Sequence, residues 1–207
     1  MMKKLVVSIS RAYGSGGSAI GKKLAVELGV PFYDKAIIEM ASEKSGLSSE
    51  YISRLEEHAS SSFLFNLATT SFSSRAILPQ YDVPVGYAAF SAQTSAIREL
   101  AERSSCVIIG RCAEYILRDD PDCVKVFIHA DREQRLGFVM KEFELDRKTA
   151  EARLNKIDKG RSNYYKNFTG EKWGNVYDHD ICINSTRTGL DGAVAVIKTL
   201  LLEMGRL

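Results

Sequence analysis

The chain has 207 residues, of which 45% are hydrophobic and 26% are charged, as in an ordinary globular protein and unlike a disordered one. Its formal net charge of +2 implies no large basic surface, so we expect no nucleic-acid partner. An α/β domain of this length can bury a full core. We therefore expect one domain over residues 1–207, with a lobe at about 35–95 and a lid at about 146–172.

The cysteines, the histidines and the N-terminus give no sign of a metal centre or of export. None of the four cysteines forms a Cys-x-x-Cys pair, and the three histidines are scattered. Free cysteines fit a reducing compartment. The first apolar run, residues 5–9, is too short for the core of a signal peptide or for a membrane span. These features predict a cytoplasmic protein with no membrane partner.

The first elements of the chain alternate between strand and helix. Residues 5–9 are apolar and β-branched and predict a buried strand, which a glycine-rich turn follows. Residues 19–28 carry a helical apolar stripe that Gly29 ends. Residues 30–33 predict a second strand near a sheet edge, because a proline lies in it. Asp34 then opens a helix as its N-cap.

The rest of the chain continues this alternation. Residues 48–104 are predicted to be helical or irregular, with a lobe over a site at 59–91. Strands are predicted at 106–109, 124–128 and 180–183, and a basic helical segment at 146–168. Asp131 to Gln134 resembles a capping box for the helix that follows. Thr188 and Asp191 are expected to cap the closing helix. Strands that alternate with helices predict a parallel sheet covered on both faces, the α/β class.

The turn after the first strand predicts a phosphate-binding loop. A strand, a glycine-rich turn and a helix together direct backbone N–H groups and a helix dipole at an anion. We expect the phosphates of a nucleotide to lie against residues Gly14, Ser15, Gly16, Gly17 and Ser18. The hydroxyl of Ser18 is placed to reach a Mg²⁺ ion.

Two folds use such a turn. The Rossmann pattern G-x-G-x-x-G/A matches Gly14-x-Gly16-x-x-Ala19, with Asp34 at the end of the second strand. The P-loop pattern G-x-x-x-x-G-K-[ST] keeps only Gly16 and Ser18, since Arg11 replaces its first glycine and Gly17 replaces its lysine. The four residues between the first strand and Gly14 favour the P-loop, because that loop wraps round a phosphate.

Arginines near the ends of later strands also favour a P-loop protein. Arg111 follows the third strand, Arg132 and Arg135 follow the fourth, and a basic segment precedes the fifth. Phosphoryl transfer depends on positioning and charge neutralisation, so its sites gather arginines from several loops. A Rossmann enzyme has no evident use for them.

Four segments resemble the bacterial cytidylate kinase-like family: Ile-Ser-Arg-Ala-Tyr-Gly-Ser-Gly-Gly-x-x-Ile-Gly at 9–21, Phe-Tyr-Asp at 32–34, Val-Ile-Ile-Gly-Arg-Cys-Ala at 107–113 and Arg-x-x-Tyr-Tyr-Lys-x-x-Thr-Gly at 161–170. The resemblance covers essentially the whole chain. It implies a three-layer P-loop nucleoside monophosphate kinase fold, with a core five-stranded parallel sheet, a helical monophosphate-binding lobe and an arginine-bearing lid.

The resemblance also implies site residues, with departures from true cytidylate kinases. Asp34 matches the aspartate that opens the monophosphate site, although Lys35 replaces the following serine. Arg111 matches the arginine of Gly-Arg-Asp, which holds the acceptor phosphate, but Cys112 replaces the aspartate near the cytosine. Two further matches, Asp158 and Arg161, lie in the lid. The phosphate-handling part is thus half kept, and the cytosine-reading part is not.

These patterns together predict a kinase-like enzyme that uses ATP and Mg²⁺ to phosphorylate a small acceptor such as a nucleoside monophosphate. Arg11, Arg111 and Arg161 are the expected catalytic residues, and Asp34, Arg111, Arg132 and Asp158 the expected acceptor-binding ones. Arg11 or a basic lid residue would supply the charge of the missing lysine. The substitution Gly17→Lys restores that lysine, so activity should survive or rise if the loop keeps its shape.

Two alternatives remain open at this point. One is a non-catalytic nucleotide-binding or sensor protein that has lost the loop lysine. The other is a Rossmann protein that binds NAD(P). The acceptor and the oligomeric state are open as well.

Overall fold

The computed structural model describes residues 4–58 and 85–207. Residues 59–84 of the predicted lobe lie outside the described residues, so the prediction for that stretch stays a prediction.

The described strands form one five-stranded parallel sheet, as the alternation of elements predicts. Their order across the sheet is β2-β3-β1-β4-β5. Strand β2 lies at an edge, which fits the proline before it. The strands are β1 (Val6–Arg11), β2 (Phe32–Tyr33), β3 (Cys106–Ile109), β4 (Cys123–His129) and β5 (Ile181–Asn184).

This strand order excludes the Rossmann alternative. In the dinucleotide-binding fold, the second strand lies beside the first. Here β3 lies between them, pairing with β1 from Val6↔Cys106 to Ile9↔Ile109 and with β2 at Phe32↔Val107. The Gly-x-Gly pattern of the loop therefore belongs to a different fold.

Helices cover both faces of the sheet. The described helices are α1 (Gly17–Leu28), α2 (Lys35–Ser45), α3 (Ser49–His58), α4 (Val85–Arg103), α5 (Ala113–Ile116), α6 (Arg132–Phe143), α7 (Arg147–Thr169) and α8 (Ser185–Glu203), with a short 3₁₀ turn at Val176–Asp178. In the part of the chain that the structure describes, no helix is long and apolar enough to cross a membrane.

Alternation along β1 divides the core into two layers. Val7 and Ile9 pack with apolar residues of α1 and α8 on one face. Val6 packs with residues of α2, α4 and α5 on the other face. Ser8 and Ser10 share that second face, because side chains two residues apart in a strand point the same way, and both are buried. Strand β1 thus carries a polar line, the buried hydroxyls of Ser8 and Ser10, that runs toward the carboxyl edge of the sheet.

Three predicted helix caps differ from those observed. Asp34 and Asp131 occupy N-cap positions, but neither side chain makes a capping hydrogen bond. Asp131 instead accepts a bond from the Asn184 amide at 3.0 Å. The closing helix begins at Ser185, earlier than expected, and Asn184 caps it by accepting from the N–H of Thr186. Gly189, with φ 66° and ψ −176°, interrupts this helix, so Thr188 and Asp191 flank a kink.

Candidate active site

The loop between β1 and α1 turns tightly round two glycines. Gly14 and Gly16 both have φ of 76°, a left-handed conformation that favours glycine. A methyl group on Gly16 would lie 2.6 Å from Leu190 Cδ2, so the Leu190 side chain of α8 would have to shift to admit it. The Ser15 hydroxyl, which is buried, donates to the carbonyl of Ile128 at 3.2 Å and attaches the loop to β4.

A cavity of about 500 Å³ lies against this loop, within the size range of small-ligand sites. We call it the loop cavity. The loop residues from Gly14 to Ser18 line it on one side, and Gly189 and Leu190 line it on another. Because α1 begins at Gly17, the first N–H groups of that helix have no intrahelical acceptor and suit an anion.

Ser18 is the loop residue suited to a metal ion. It is exposed, lies in the first turn of α1 and lines the loop cavity. Among residues 4–58 and 85–207, no group of three or more His, Cys, Asp or Glu side chains is arranged to hold a metal ion by itself. In kinase sites, Mg²⁺ is usually bound by one or two carboxylates together with substrate phosphates.

A second cavity, of about 420 Å³, lies beyond the ends of β1 and β3. We call it the arginine cavity, since five cationic side chains line it against only two carboxylates, those of Asp34 and Glu114. The cations are Arg11, Lys35, Arg111, Arg153 and Arg161. Its charge suits an anionic ligand.

Arg111 and Asp34 form an ion pair in the arginine cavity. The Arg111 Nη2 lies 3.0 Å from Asp34 Oδ1, and its Nε donates to the Asp34 carbonyl at 3.1 Å. The Arg111 side chain is only 7% exposed. This bond explains why the Asp34 carboxylate does not cap α2: it accepts from the guanidinium instead of from a helix N–H.

The turn that carries Arg111 has an uncommon backbone conformation. Gly110, Arg111 and Cys112 have φ of 65°, 58° and 55°, three successive left-handed residues. A left-handed conformation costs a residue with a Cβ roughly 1–2 kcal/mol. Such local strain is concentrated at functional sites in proteins. The turn aims Arg111 at Asp34, across the sheet edge.

Arg11, Tyr13 and Arg161 lie where the two cavities adjoin, because each lines both. Arg161 donates to the carbonyl of Arg11 at 2.9 Å, and its guanidinium lies 5.6 Å from the centre of the Tyr13 ring. Helix α7 thus contributes a cation directly above the start of the phosphate loop.

Comparison with known proteins identifies the family. A family model described as cytidylate kinase-like matches residues 6–187. The chain belongs to the cytidylate kinase-like family. A search of curated proteins finds no match.

Solved structures agree with this assignment at the level of the fold. An uncharacterized protein from Eubacterium ventriosum is 28% identical, with a TM-score of 0.69 over 96% of this chain and 98% of that one. Shikimate kinase from Acinetobacter baumannii, solved with shikimate, is 15% identical, with a TM-score of 0.53 over 98% of this chain and 95% of its own. A sugar kinase from Janibacter is 15% identical, with a TM-score of 0.54 over 96% and 95% of the two chains. The fold is that of the P-loop kinases.

Two of the expected acceptor-binding residues, Asp158 and Arg132, lie outside the lining of both described cavities. Asp158 lines neither described cavity. It accepts the backbone N–H of Tyr13 at 2.8 Å and pairs with Arg135 at 2.5 Å, so it attaches α7 to the loop. Arg132 is exposed and donates to Asn155 at 3.1 Å. Each thus joins α7 to another part of the protein, and the acceptor-binding role expected for both stays a prediction.

Tyr13 lies at the start of the predicted phosphate-binding loop, but the sequence did not predict a role of its own for it. Its N–H bonds to Asp158, its carbonyl accepts from Arg135 at 3.2 Å, and its hydroxyl accepts from Arg153 at 3.0 Å. All three partners come from α6 and α7. An aromatic residue inside a glycine-rich loop was the available signal, because such loops rarely need a bulky side chain.

The second residue missed is Glu114, a carboxylate that is 2% exposed. Its Oε1 accepts the Ser10 hydroxyl at 2.6 Å, at the end of the polar line on β1. Burial, and then the Glu114 charge, raise the pKa of the neighbouring Tyr165 hydroxyl above its usual range. A glutamate two residues after Cys112 gives no sequence signal by itself, since helix starts commonly carry acids.

The expectation for Gly17→Lys is also changed by the structure. A Cβ on Gly17 would lie 2.5 Å from the Arg11 Cβ. The loop therefore cannot keep its shape with a lysine at 17 while Arg11 is present.

Proposed function

We propose that this protein is a phosphotransferase that moves the γ-phosphoryl group of ATP to a small anionic acceptor, such as a nucleoside monophosphate. One observation carries the proposal: the loop cavity and the arginine cavity meet at Arg11, Tyr13 and Arg161. A kinase needs its donor and acceptor sites to meet in this way, because the phosphoryl group passes directly between them.

The donor would bind in the loop cavity. The N–H groups at the start of α1 would contact its phosphates, and Ser18 would contact the Mg²⁺ that ATP brings. The metal would neutralise charge on the phosphates. The kinked start of α8, where Leu190 lies over Gly16, would face the rest of the nucleotide.

The acceptor would bind in the arginine cavity. Its oxygen would attack the γ-phosphorus, while the bond to the β–γ bridging oxygen breaks and ADP leaves with that electron pair. An ionised phosphate acceptor releases no proton in this step, so the site needs no general base. Arg111, oriented by Asp34, would hold the acceptor anion. Arg161 would stabilise charge on the transferred group.

A second candidate is a nucleotide sensor without turnover. Two observations favour it: Gly17 stands at the lysine position, and Asp158 already takes the Tyr13 N–H at the loop entrance. This candidate shares the donor site with the first, but it predicts binding without transfer.

Thermal unfolding followed by a coupled assay separates the two candidates. MgATP at about 100 times its Kd should raise Tm by about 5–10 °C, whereas NADH should not. ADP release should then depend on an acceptor in a panel of nucleoside monophosphates, shikimate and gluconate. Binding of MgATP with no turnover on any acceptor would favour the sensor, and no binding of MgATP would contradict both.

A further inference from the structure

The side chain of Arg11 runs between two glycines from different parts of the chain. A Cβ on Gly17 would lie 2.5 Å from Arg11 Cβ and 3.0 Å from its Cγ. A Cβ on Gly110 would overlap the Arg11 Nη1. The base of the side chain thus covers the first residue of α1, and its guanidinium reaches the end of β3. Both glycines leave the space that Arg11 occupies.

The side chain of Arg11 thus extends from the loop cavity to the arginine cavity. Gly17 lines the loop cavity, Gly110 lines the arginine cavity, and Arg11 lines both. A guanidinium carries several N–H donors in one plane, so it can contact oxygens of two phosphates at once.

The contact with Gly17 also explains how this loop departs from the P-loop pattern. That pattern has glycine at the position of Arg11 and lysine at the position of Gly17. With the backbone as it is here, Cβ atoms at both positions would be 2.5 Å apart, closer than such atoms approach. Only one of the two positions can therefore carry a side chain. The cation and the glycine have exchanged places.

We propose that Arg11 is a catalytic residue that replaces the P-loop lysine, and that Arg11 and Gly17 form a reciprocal pair. The inference rests on the proposed function and deepens it. The guanidinium contacts the γ-phosphoryl group from the acceptor side, where charge develops during transfer. A lysine at 17 would approach the same group from α1.

Four proteins test the pair: the parent, Arg11→Gly, Gly17→Lys and the double variant, which restores the full pattern. Glycine is used at 11 because alanine keeps the Cβ that collides. Without nucleotide, Gly17→Lys should lower Tm by about 4–10 °C, and adding Arg11→Gly should recover most of that loss. Gly17→Ala repeats the test with a smaller group, should Gly17→Lys not fold.

Turnover is then measured with MgATP and the best acceptor of the panel for the parent. Arg11→Gly should lower kcat about 10²–10³-fold, the scale of losing one preorganised charged donor. The double variant should recover to within about tenfold of the parent. Arg103→Ala is the matched control, because it removes an exposed arginine that pairs with Glu99 away from both cavities.

The outcomes separate this inference from the function it rests on. An active parent with an equally active Arg11→Gly variant would overturn the catalytic role of Arg11. Additive changes in Tm for the two single substitutions would overturn the reciprocal pair. A parent that turns over no acceptor would overturn the proposed function, and the catalytic role of Arg11 with it. The Tm values of the four proteins would still show whether Arg11 and Gly17 form a reciprocal pair.

Discussion

Arg111 and Asp34 are 77 residues apart in the chain, yet the arginine Nη2 lies 3.0 Å from the aspartate Oδ1. The pair joins the end of β3 to the start of α2, two elements that meet because β2 and β3 are neighbours in the sheet. Arg111 is nearly buried, while the Asp34 side chain is 31% exposed. The pair therefore fixes the Arg111 guanidinium and the Asp34 carboxylate together in the lining of the arginine cavity.

We expect Arg111→Ala to lower kcat/KM for the acceptor and to leave the affinity for MgATP almost unchanged. The substitution removes a guanidinium from the arginine cavity and leaves the loop cavity unchanged, so kcat/KM for the acceptor should fall about 100-fold or more. The affinity for MgATP, measured by calorimetry, should change less than about threefold. Arg103→Ala again serves as the control. If the affinity for MgATP fell as much as kcat/KM for the acceptor, Arg111 would have a structural role instead.

We expect no ordinary specificity for cytidylate. Cys112 and Lys35 stand where true cytidylate kinases carry the aspartate and serine of the cytosine site, and a buried base that loses a hydrogen-bond partner costs about 1–3 kcal/mol. In the coupled assay, kcat/KM for CMP and dCMP should stay within about tenfold of that for other monophosphates. A preference for CMP and dCMP far above this would contradict the prediction.

The loop should bind an anion even without nucleotide. The N–H of Ser15 already bonds weakly to the Ala12 carbonyl at 3.3 Å, so the contacts should come mainly from Gly16, Gly17 and Ser18. Crystals grown in sulfate should show an oxyanion against these three groups. Sulfate should also raise Tm more than chloride does at equal ionic strength. An oxyanion found in the arginine cavity and not at the loop would contradict the prediction that the loop binds an anion.

Asp158 should contribute to stability through α7. It pairs with Arg135, whose side chain is 13% exposed, and it accepts the Tyr13 N–H. Asp158→Ala leaves that N–H without its acceptor and that guanidinium with the Tyr13 carbonyl but no carboxylate, which should lower the free energy of unfolding by about 2–4 kcal/mol. Asp146→Ala is the comparison, because it removes an exposed carboxylate that caps the same helix. Urea unfolding should show a loss of only about 1 kcal/mol for Asp146→Ala.

The buried thiols should make the protein less stable at alkaline pH. Burial raises the pKa of Cys106 and of Cys123 to about 12 each. An unfolded thiol ionises near pH 8.5, so the folded state binds more protons above that pH, and stability falls from about pH 8.5 toward 12. Below pH 8.5 the thiols are protonated in both the folded and the unfolded states, so their titration does not lower the stability there. Tm should decrease over that alkaline range, and less so in Cys106→Ala.

The same burial predicts slow thiol chemistry. At pH 8, Cys106 and Cys123 should react with a thiol reagent only on unfolding, because the thiolate is the nucleophile. Rapid labelling of both in the native protein would contradict their burial.

Local patterns in the sequence determined most of the fold. Short β-branched runs, helical stripes and the glycine turn are readable one element at a time, because each depends on residues close in the chain. They predicted β3 at 106–109 to the residue, placed β2 at a sheet edge and located the glycine-rich turn between β1 and α1. The match to residues 6–187 confirmed the family that the motifs indicated.

The contacts that define the site were decided by the tertiary structure. Whether Arg11 excludes a side chain from Gly17 depends on how β1 leads into α1, and its reach to Gly110 depends on the register of β1 with β3. The attachment of Asp158 to Tyr13 joins residues 145 positions apart. No local pattern encodes such distances, because they arise when distant elements pack against the same sheet edge. The sequence alone therefore determined the elements and the loop, and only packing decided which side chains meet there.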